Sequence, residues 1–251
     1  MFELSLPSEI LSQKDVKLII KAINYSKQQH ENWNNERKLG YGNGKYLDRW
    51  NYIFDNLEKY FTYKPYITYH VSRGRFWEFA VLYNTDTNIL YLVLKEDTFK
   101  QIRSNKNNPY HYVRVLNSKN FNLQDEVYQQ LNLFSGFENV SNEYIEEDLE
   151  RMISELKDKV KCCVNVLFKE NSEGVNKISA NLANYELNIF KTYDLSECIT
   201  AGIDEIIDTK NDVAEGSPKI PLNIRKNKVK NKKTELVDDK SKKEDEQKNK
   251  K

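Results

Sequence analysis

The chain has 251 residues, of which 31% are charged and 12% aromatic, and its formal net charge is +1. This length is enough to bury a core, and the aromatic share is too high for a chain that is disordered throughout. With only eight glycines and five prolines, the composition excludes a collagen-like protein. The first residues lack the basic and apolar regions of a signal peptide, and no apolar run reaches the roughly 20 residues of a membrane span.

The cysteines indicate a reducing compartment. Cys162 and Cys163 are adjacent, and Cys198 stands alone. Neighbouring residues of a strand point to opposite faces, so the adjacent pair is badly placed to form a disulfide or to share a metal ion. An odd number of cysteines without a regular spacing is typical of cytoplasmic proteins. We therefore predict a cytoplasmic protein that uses no metal, no cofactor and no membrane.

Charge is divided unevenly along the chain. Residues 217–251 contain thirteen Lys or Arg and six Asp or Glu, a net charge of +7, whereas residues 1–216 have a net charge of −6. Lys, Asn, Asp and Glu repeat in the last segment without an apolar period, which predicts a disordered basic tail. Such a tail can bind nucleic acid or an acidic protein surface. The residues expected to make these contacts are Arg225, Lys226, Lys228, Lys230, Lys232 and Lys233.

Two helices are predicted before the first strand. Ser12 and Asp15 have the spacing of a capping box, and the apolar stripe that follows predicts a helix over about 13–30. A second helical stripe begins near Lys45, and Pro65 marks its limit.

Two groups of three strands follow. Segments rich in aromatic and β-branched residues predict strands at about 66–72, 75–83, 89–95, 161–169, 175–182 and 185–193. The segments between the two groups predict helices at about 97–104, 110–117, 123–134 and 141–161. The predicted fold class is therefore α+β, with two three-stranded antiparallel meanders at about 66–95 and 161–193. These meanders belong either to one mixed sheet or to two sheets.

The same pattern predicts the domain organisation. A globular body is expected over residues 1–210, either as one unit or as two subdomains, 1–135 and 136–210. The disordered basic tail is expected over residues 217–251.

A hairpin with embedded charges is the first candidate site. A two-residue turn at Asp86 and Thr87 makes the numbers of paired residues sum to 173, which places Glu78 opposite Lys95 and leaves both faces largely apolar. The two strands should therefore be central, and the Glu78–Lys95 pair is either a cross-strand ion pair or part of a polar site. An enzyme acting on nucleic acid or nucleotides would use Arg75, Glu78, Lys95 and His111 as candidate catalytic residues.

The order of elements around the hairpin is similar to that of restriction-type nucleases. Their metal site needs an acidic residue two positions before a lysine on a strand. Here the lysine is Lys95, but Val93 occupies the acidic position and Asp86 lies in the turn. Only a rearranged site in which Glu78 substitutes for the missing acid would restore the metal site.

Other catalytic patterns are missing from the sequence. The histidines, His30, His70 and His111, share no metal-ligand spacing. No Ser or Cys lies in a recognisable nucleophile elbow.

Three stretches carry a resemblance to a family. They are RFWEFAVLYNTDTNILYLVLKEDTF, HYVRVLN and VNKISANLANYELNIFKTYDLSECI. They resemble an uncharacterised family found in Firmicutes and their mobile elements, the domain of unknown function 5986. The resemblance covers about residues 10–207. It implies a bacterial α+β protein of unknown role, and it carries over no catalytic residues.

Two functional hypotheses remain open. The first is a cytoplasmic binding protein, whose acidic body engages a partner while the basic tail supplies electrostatic attraction to nucleic acid or protein. The alternative is a nuclease-like enzyme with its site around the strands at 66–95.

Overall fold

The computed structural model describes residues 10–37, 44–73, 77–123 and 141–200. Arg75, nearly all of the predicted helix at 123–134 and the whole basic tail lie outside these ranges. The helices are α1 (Gln13–Arg37), α2 (Lys45–Tyr60), α3 (Glu96–Ser104), α4 (Tyr112–Asn117), α5 (Asn142–Ile153) and α6 (Glu197–Thr200). The strands are β1 (Tyr66–Arg73), β2 (Trp77–Asn84), β3 (Ile89–Lys95), β4 (Cys162–Glu170), β5 (Val175–Ala183) and β6 (Ile189–Asp194).

All six strands form one sheet in the order β1-β2-β3-β4-β5-β6. Neighbouring strands are antiparallel except β3 and β4, which are parallel. A parallel pair needs a long crossover, and α3, α4 and α5 provide it. The α+β class is confirmed, and the two predicted meanders are halves of a single mixed sheet. This sheet joins residues on both sides of the predicted subdomain boundary at 135/136.

Helices cover both faces of the sheet. On one face, α1, α2 and α6 pack on a core that includes Leu82, Tyr91, Val93 and Cys162. On the other face, α4 and α5 pack on a second core that includes Cys163. The adjacent cysteines therefore point to opposite faces, as predicted, and β3 and β4 are central strands buried on both sides.

The capping box at the start of α1 is confirmed. The Asp15 N–H donates to Ser12 Oγ at 3.2 Å, and the Ser12 N–H donates to Asp15 Oδ2 at 3.3 Å. Asp15 is also buried and accepts hydrogen bonds from the hydroxyl groups of Tyr63 and Tyr66. The cap therefore fixes the start of α1 against the segment that leads into β1.

Three boundaries differ from the predictions. Helix α1 continues to Arg37, beyond residue 30, and its last polar turns line a cleft described below. Helix α5 ends at Ile153 and turns replace the predicted helix up to 161, although Leu156 and Val160 remain in the core. Strand β6 begins at Ile189 because a turn, with Leu187 at a φ of +66°, follows β5.

In the ranges described above, no helix combines the length and the apolar character needed to cross a membrane.

Candidate functional site

A cleft lies at the edge of the sheet where β3 and β4 end. Because these strands are parallel, with Lys95 in register with Phe168, their carboxyl ends meet at the same edge. In open sheets with parallel strands, ligands bind preferentially at such an edge. Here a cavity of about 610 Å³ opens between α1, α2 and the end of β3. This α1–α2 cleft is lined by Lys27, His30, Glu31, Asn34, Asn35, Arg49, Trp50, Ile53 and Lys95.

Glu170, at the end of β4, fixes two of the cations of the cleft. Its carboxylate accepts hydrogen bonds from both terminal nitrogens of Arg49, with Nη1 at 2.6 Å from Oε1. Lys95 Nζ lies 2.7 Å from the same Oε1. Burial raises the pKa of Glu170, but the hydrogen bonds from Arg49 and Lys95 outweigh burial and hold this pKa below its ordinary value. The ionised carboxylate therefore holds both cations at the wall of the cavity.

The other walls of the cleft are polar or aromatic. Lys27, from α1, donates a hydrogen bond to the carbonyl oxygen of Ser172. Among the described lining residues, Glu31 is the one acidic residue, whereas Lys27, Arg49 and Lys95 are cationic. His30 is 4% exposed, and the Asn34 side-chain amide lies 2.9 Å from its Nε2 atom. The lining thus offers cationic groups for an anion and uncharged hydrogen-bonding groups beside them.

Trp50 provides the aromatic surface of the cleft. Its ring stacks on Phe54, with the centroids 5.4 Å apart, and meets Phe168 edge-on at 6.2 Å. Since two aromatic neighbours support it, the indole is held in a fixed orientation at the cavity wall.

A second group of charges continues along the same sheet edge. The Glu96 carboxylate, at the start of α3, lies 2.6 Å from Lys100 Nζ and 3.2 Å from Lys177 Nζ, while Lys169 Nζ lies 3.6 Å away. The hydrogen bond from Lys100, with further attraction from Lys177, lowers the pKa of Glu96 to about 2. Glu170 and Glu96 therefore each hold two or more cations at this edge.

Glu78 and Lys95 each form a charged contact with a different residue. The β2–β3 register sums to 173, as predicted, over the pairs Leu82–Tyr91 to Asn84–Ile89. Lys95 pairs instead with Glu170, because the parallel neighbour β4 brings that carboxylate to the end of β3. Glu78 lies 3.3 Å from His70 on β1, and both side chains are about two-thirds exposed. Arg75 is outside the described residues, and of the three candidate catalytic residues that the structure describes, only Lys95 lines the α1–α2 cleft.

His111 has a structural contact. It is the N-cap of α4, and its Nδ1 atom accepts a hydrogen bond from the Val113 N–H at 3.3 Å. Burial, with the added repulsion of Arg73 and Arg114, lowers the pKa of His111 to about 4. The ring is therefore neutral at pH 7, as an acceptor in a helix cap must be. It also lines a separate cavity of about 170 Å³.

Arg114 has a structural role in the HYVRVLN stretch. This side chain is fully buried, and Nη2 donates to the carbonyl oxygens of Ile102, Arg103 and Asn105 at 2.7–3.3 Å. These carbonyls belong to the last turn of α3 and its C-cap, where a cation is favourable. The stretch therefore serves to join α3 to α4.

The position that a restriction-type metal site would need to be acidic is part of the core. Val93 is 3% exposed and packs among the apolar residues beneath α1 and α2. Within the part of the chain that the structure describes, no group of three or more His, Cys, Asp or Glu side chains is arranged to hold a metal ion.

Comparison with known proteins identifies a family. No curated protein matches the chain, and no solved structure matches it. One family matches residues 5–241, which include the three stretches quoted above and most of the basic tail. The chain therefore belongs to the family of unknown function (DUF5986).

Proposed function

We propose that the protein is a nucleic-acid-binding protein that holds phosphate groups in the α1–α2 cleft. One observation carries this proposal: Lys27 from α1, Arg49 from α2 and Lys95 from β3 converge on a single cavity beside Trp50. Arginine binds phosphate through its guanidinium N–H groups, of which Glu170 occupies two in Arg49, and lysine binds phosphate as a point charge. An aromatic ring next to these cations is the usual surface on which a nucleic-acid base stacks.

The tail extends the same electrostatic argument. Residues 217–251 carry a net charge of +7, and residues 1–216 carry a net charge of −6. At physiological ionic strength, charges further apart than about 8 Å are largely screened, so local groups decide where a phosphate binds. The cleft and the tail cations, Arg225, Lys226, Lys228, Lys230, Lys232 and Lys233, are therefore the two binding regions of the proposal.

The proposal places the protein in a reducing, cytoplasmic environment. Cys162, Cys163 and Cys198 are buried thiols. Burial raises the pKa of Cys162 to about 12, so its thiol is protonated and unreactive at neutral pH.

Fluorescence anisotropy with labelled single-stranded DNA, single-stranded RNA and duplex DNA tests the proposal. Three full-length proteins are compared at about 50 and 200 mM salt: the wild type, Lys27→Ala, and a variant with the six tail cations replaced by glutamine. We expect Lys27→Ala to weaken binding about three- to tenfold and the tail variant to reduce the salt dependence. The matched control is Lys159→Ala, which removes an exposed lysine outside the cleft.

Two results would contradict the proposal. The first is no measurable binding of any of the three nucleic acids by the wild type at low salt. The second is equal nucleic-acid binding by the wild type and Lys27→Ala, which would show that the cleft is not part of the binding surface.

The second candidate is a nucleic-acid-processing enzyme with the same cleft as its site. The observation that favours it is His30, an imidazole placed in the cavity wall together with Arg49 and Lys95. Imidazole groups transfer protons, and adjacent cations stabilise the charge that develops on a phosphate. Incubation of labelled strands with the protein, with and without Mg²⁺, separates the candidates. Strand cleavage that His30→Ala abolishes would favour the enzyme.

A further inference from the structure

The size of the α1–α2 cleft points to a narrower class of ligand. We infer that the cleft holds one nucleotide, either a nucleoside monophosphate or the phosphorylated end of a single strand; this inference rests on the proposed function. A cavity of about 610 Å³ lies within the range of sites that enclose one small organic ligand, about 300–1,000 Å³. A duplex is read from its grooves by an inserted helix or strand pair, and it does not enter a cavity of this size.

The cations leave hydrogen-bond donors for the phosphate. Of the five N–H groups of Arg49, two bind Glu170 and one binds Ser26 Oγ. The described hydrogen bonds therefore leave two guanidinium N–H groups unused. Lys95 uses one donor on Glu170 and Lys27 uses one on the Ser172 carbonyl, so each ammonium group retains two. Donors on three side chains that line one cavity suit a terminal phosphate, which presents three acceptor oxygens.

Glu170 already occupies one side of these cations as an internal anion. It orders Arg49 and Lys95 before any ligand arrives, which lowers the entropic cost of binding. It also cancels part of their charge, so a phosphate that binds beside it is held less tightly than on a bare Arg–Lys pair. This arrangement favours a ligand that gains the rest of its affinity from a second group.

The base is that second group. Trp50, backed by Phe54 and Phe168, offers a flat surface for stacking, which is worth about 1–3 kcal/mol per base. Asn34 and Asn35, one turn from His30 on α1, present amide groups that both donate and accept. Glu31 accepts only, and so complements ribose hydroxyls or base N–H groups. A phosphate subsite and a base subsite thus lie within one cavity.

Calorimetric titration of the full-length protein tests the inference. The probes are AMP, GMP, CMP and UMP, inorganic phosphate, adenosine, and a twelve-nucleotide strand with or without a 5′-phosphate. We expect at least one monophosphate to bind about tenfold or more tightly than both inorganic phosphate and adenosine. A 5′-phosphate that strengthens strand binding by a similar factor would identify the strand end as the source, and tighter binding of the free nucleotide would identify the monophosphate.

Variants connect this binding to the cleft. Trp50→Leu, which keeps an apolar side chain in the helix but removes the aromatic face, should weaken nucleotide binding about fivefold or more and leave inorganic phosphate binding unchanged. Asn34→Ala changes a polar side chain at the cavity wall, and it should weaken nucleotide binding even if Trp50→Leu does not fold. The control is Tyr144→Ala, which removes an exposed aromatic residue from α5 outside the cleft.

The inference fails if no monophosphate binds more tightly than phosphate and the 5′-phosphate has no effect. It also fails if Asn34→Ala and a folded Trp50→Leu both bind nucleotides like the wild type. Retained oligonucleotide binding in either case would leave the proposed function intact. Loss of all nucleic-acid binding by the wild type would overturn both.

Discussion

The side-chain amide of Asn120 pairs with both backbone groups of Cys163. Asn120 Nδ2 donates to the Cys163 carbonyl oxygen at 2.8 Å, and the Cys163 N–H donates to Asn120 Oδ1 at 2.8 Å. The same Nδ2 also donates to the Ala183 carbonyl oxygen at 2.8 Å. Strands β4 and β5 pair only from Asn165 and Asn181 onward, so the amide takes the place of a strand where β4 and β5 separate.

Replacing Asn120 with alanine should destabilise the fold strongly. The backbone groups of Cys163 are fully buried and would lose their partner, and each such group costs about 1–3 kcal/mol when it is left without one. We expect a loss of about 2–4 kcal/mol in the free energy of unfolding, measured by urea denaturation with an unchanged m-value. Asn107→Ala removes an exposed asparagine and should change this free energy by less than about 0.5 kcal/mol. A loss below about 1 kcal/mol for Asn120→Ala would contradict the structural role.

Local patterns in the sequence were sufficient to predict α1 to α5 and the six strands, but not α6. The capping box depends on residues three apart, and the hairpin register depends on the short turn between β2 and β3. Both were predicted and both are confirmed. The prediction that both faces of these two strands are largely apolar is also confirmed, because β2 and β3 contribute apolar residues to both cores. All of these features depend on residues that are near each other in the sequence.

The candidate site depends on contacts between distant residues, and these were not predictable from one sequence. Arg49 and Glu170 are 121 positions apart, and they meet only because β4 runs parallel to β3. Lys95 was identified, but its predicted partner was wrong because the position of β4 could not be read. Asn120 carries no sequence signal that separates it from an asparagine in a surface turn.

Gly174 provides a test of the turn between β4 and β5. Its φ is +136°, and a Cβ atom added there would lie 2.7 Å from Asn24 Oδ1. That same oxygen accepts a hydrogen bond from the Val175 N–H at 2.9 Å, so it cannot move without losing this contact. Gly174→Ala should therefore lower the free energy of unfolding by about 1–3 kcal/mol, measured by urea denaturation.

Gly44→Ala is the matched control for this substitution. Gly44 precedes α2 with a φ of −83°, and an added Cβ would lie 3.4 Å or more from the Asp48 carboxylate. Alanine fits both the backbone conformation and the space, so we expect a change within about 0.5 kcal/mol. Equal effects at the two glycines would show that the positive φ and the Asn24 contact do not matter.

Glu170→Gln should separate the stabilising role of this residue from its effect on binding. Glutamine keeps the shape of the side chain but removes the negative charge that Arg49 and Lys95 share. Leaving two partly buried cations without their counter-charge should lower the free energy of unfolding by about 1–3 kcal/mol. The same change should tighten binding of inorganic phosphate about three- to tenfold, because the internal anion no longer cancels the charge of the cleft. Urea denaturation and calorimetry measure the two effects.

Glu78→Gln removes a carboxylate of a different kind. Glu78 faces His70 at an exposed site, and exposed ion pairs contribute less than about 1 kcal/mol. We expect neither stability nor phosphate binding to change measurably in this variant. A large loss of nucleic-acid binding in Glu78→Gln, with none in Glu170→Gln, would indicate that the binding site lies at the β2–β3 hairpin. It would contradict the assignment to the α1–α2 cleft.

His111 should make stability depend on pH in a defined window. The ordinary histidine pKa is about 6.5, and burial, with Arg73 and Arg114 nearby, lowers the pKa of His111 to about 4 in the folded protein. Between these values the unfolded chain binds a proton that the folded protein does not, so the free energy of unfolding falls as pH falls from 6.5 to 4. Well above pH 6.5 both states are neutral at this residue, and its contribution is constant.

His111→Asn isolates this contribution. Asparagine also caps helices, so its side-chain oxygen can replace Nδ1 as the acceptor for the Val113 N–H, but it does not titrate. Urea denaturation of both proteins at several pH values from 4 to 7 measures the difference. We expect the wild type to lose up to about 3 kcal/mol more than the variant across this range. If the free energy of unfolding changed with pH by the same amount in both proteins, His111 would bind a proton as easily in the folded protein as in the unfolded chain. The ring would then not be confined to its neutral capping form.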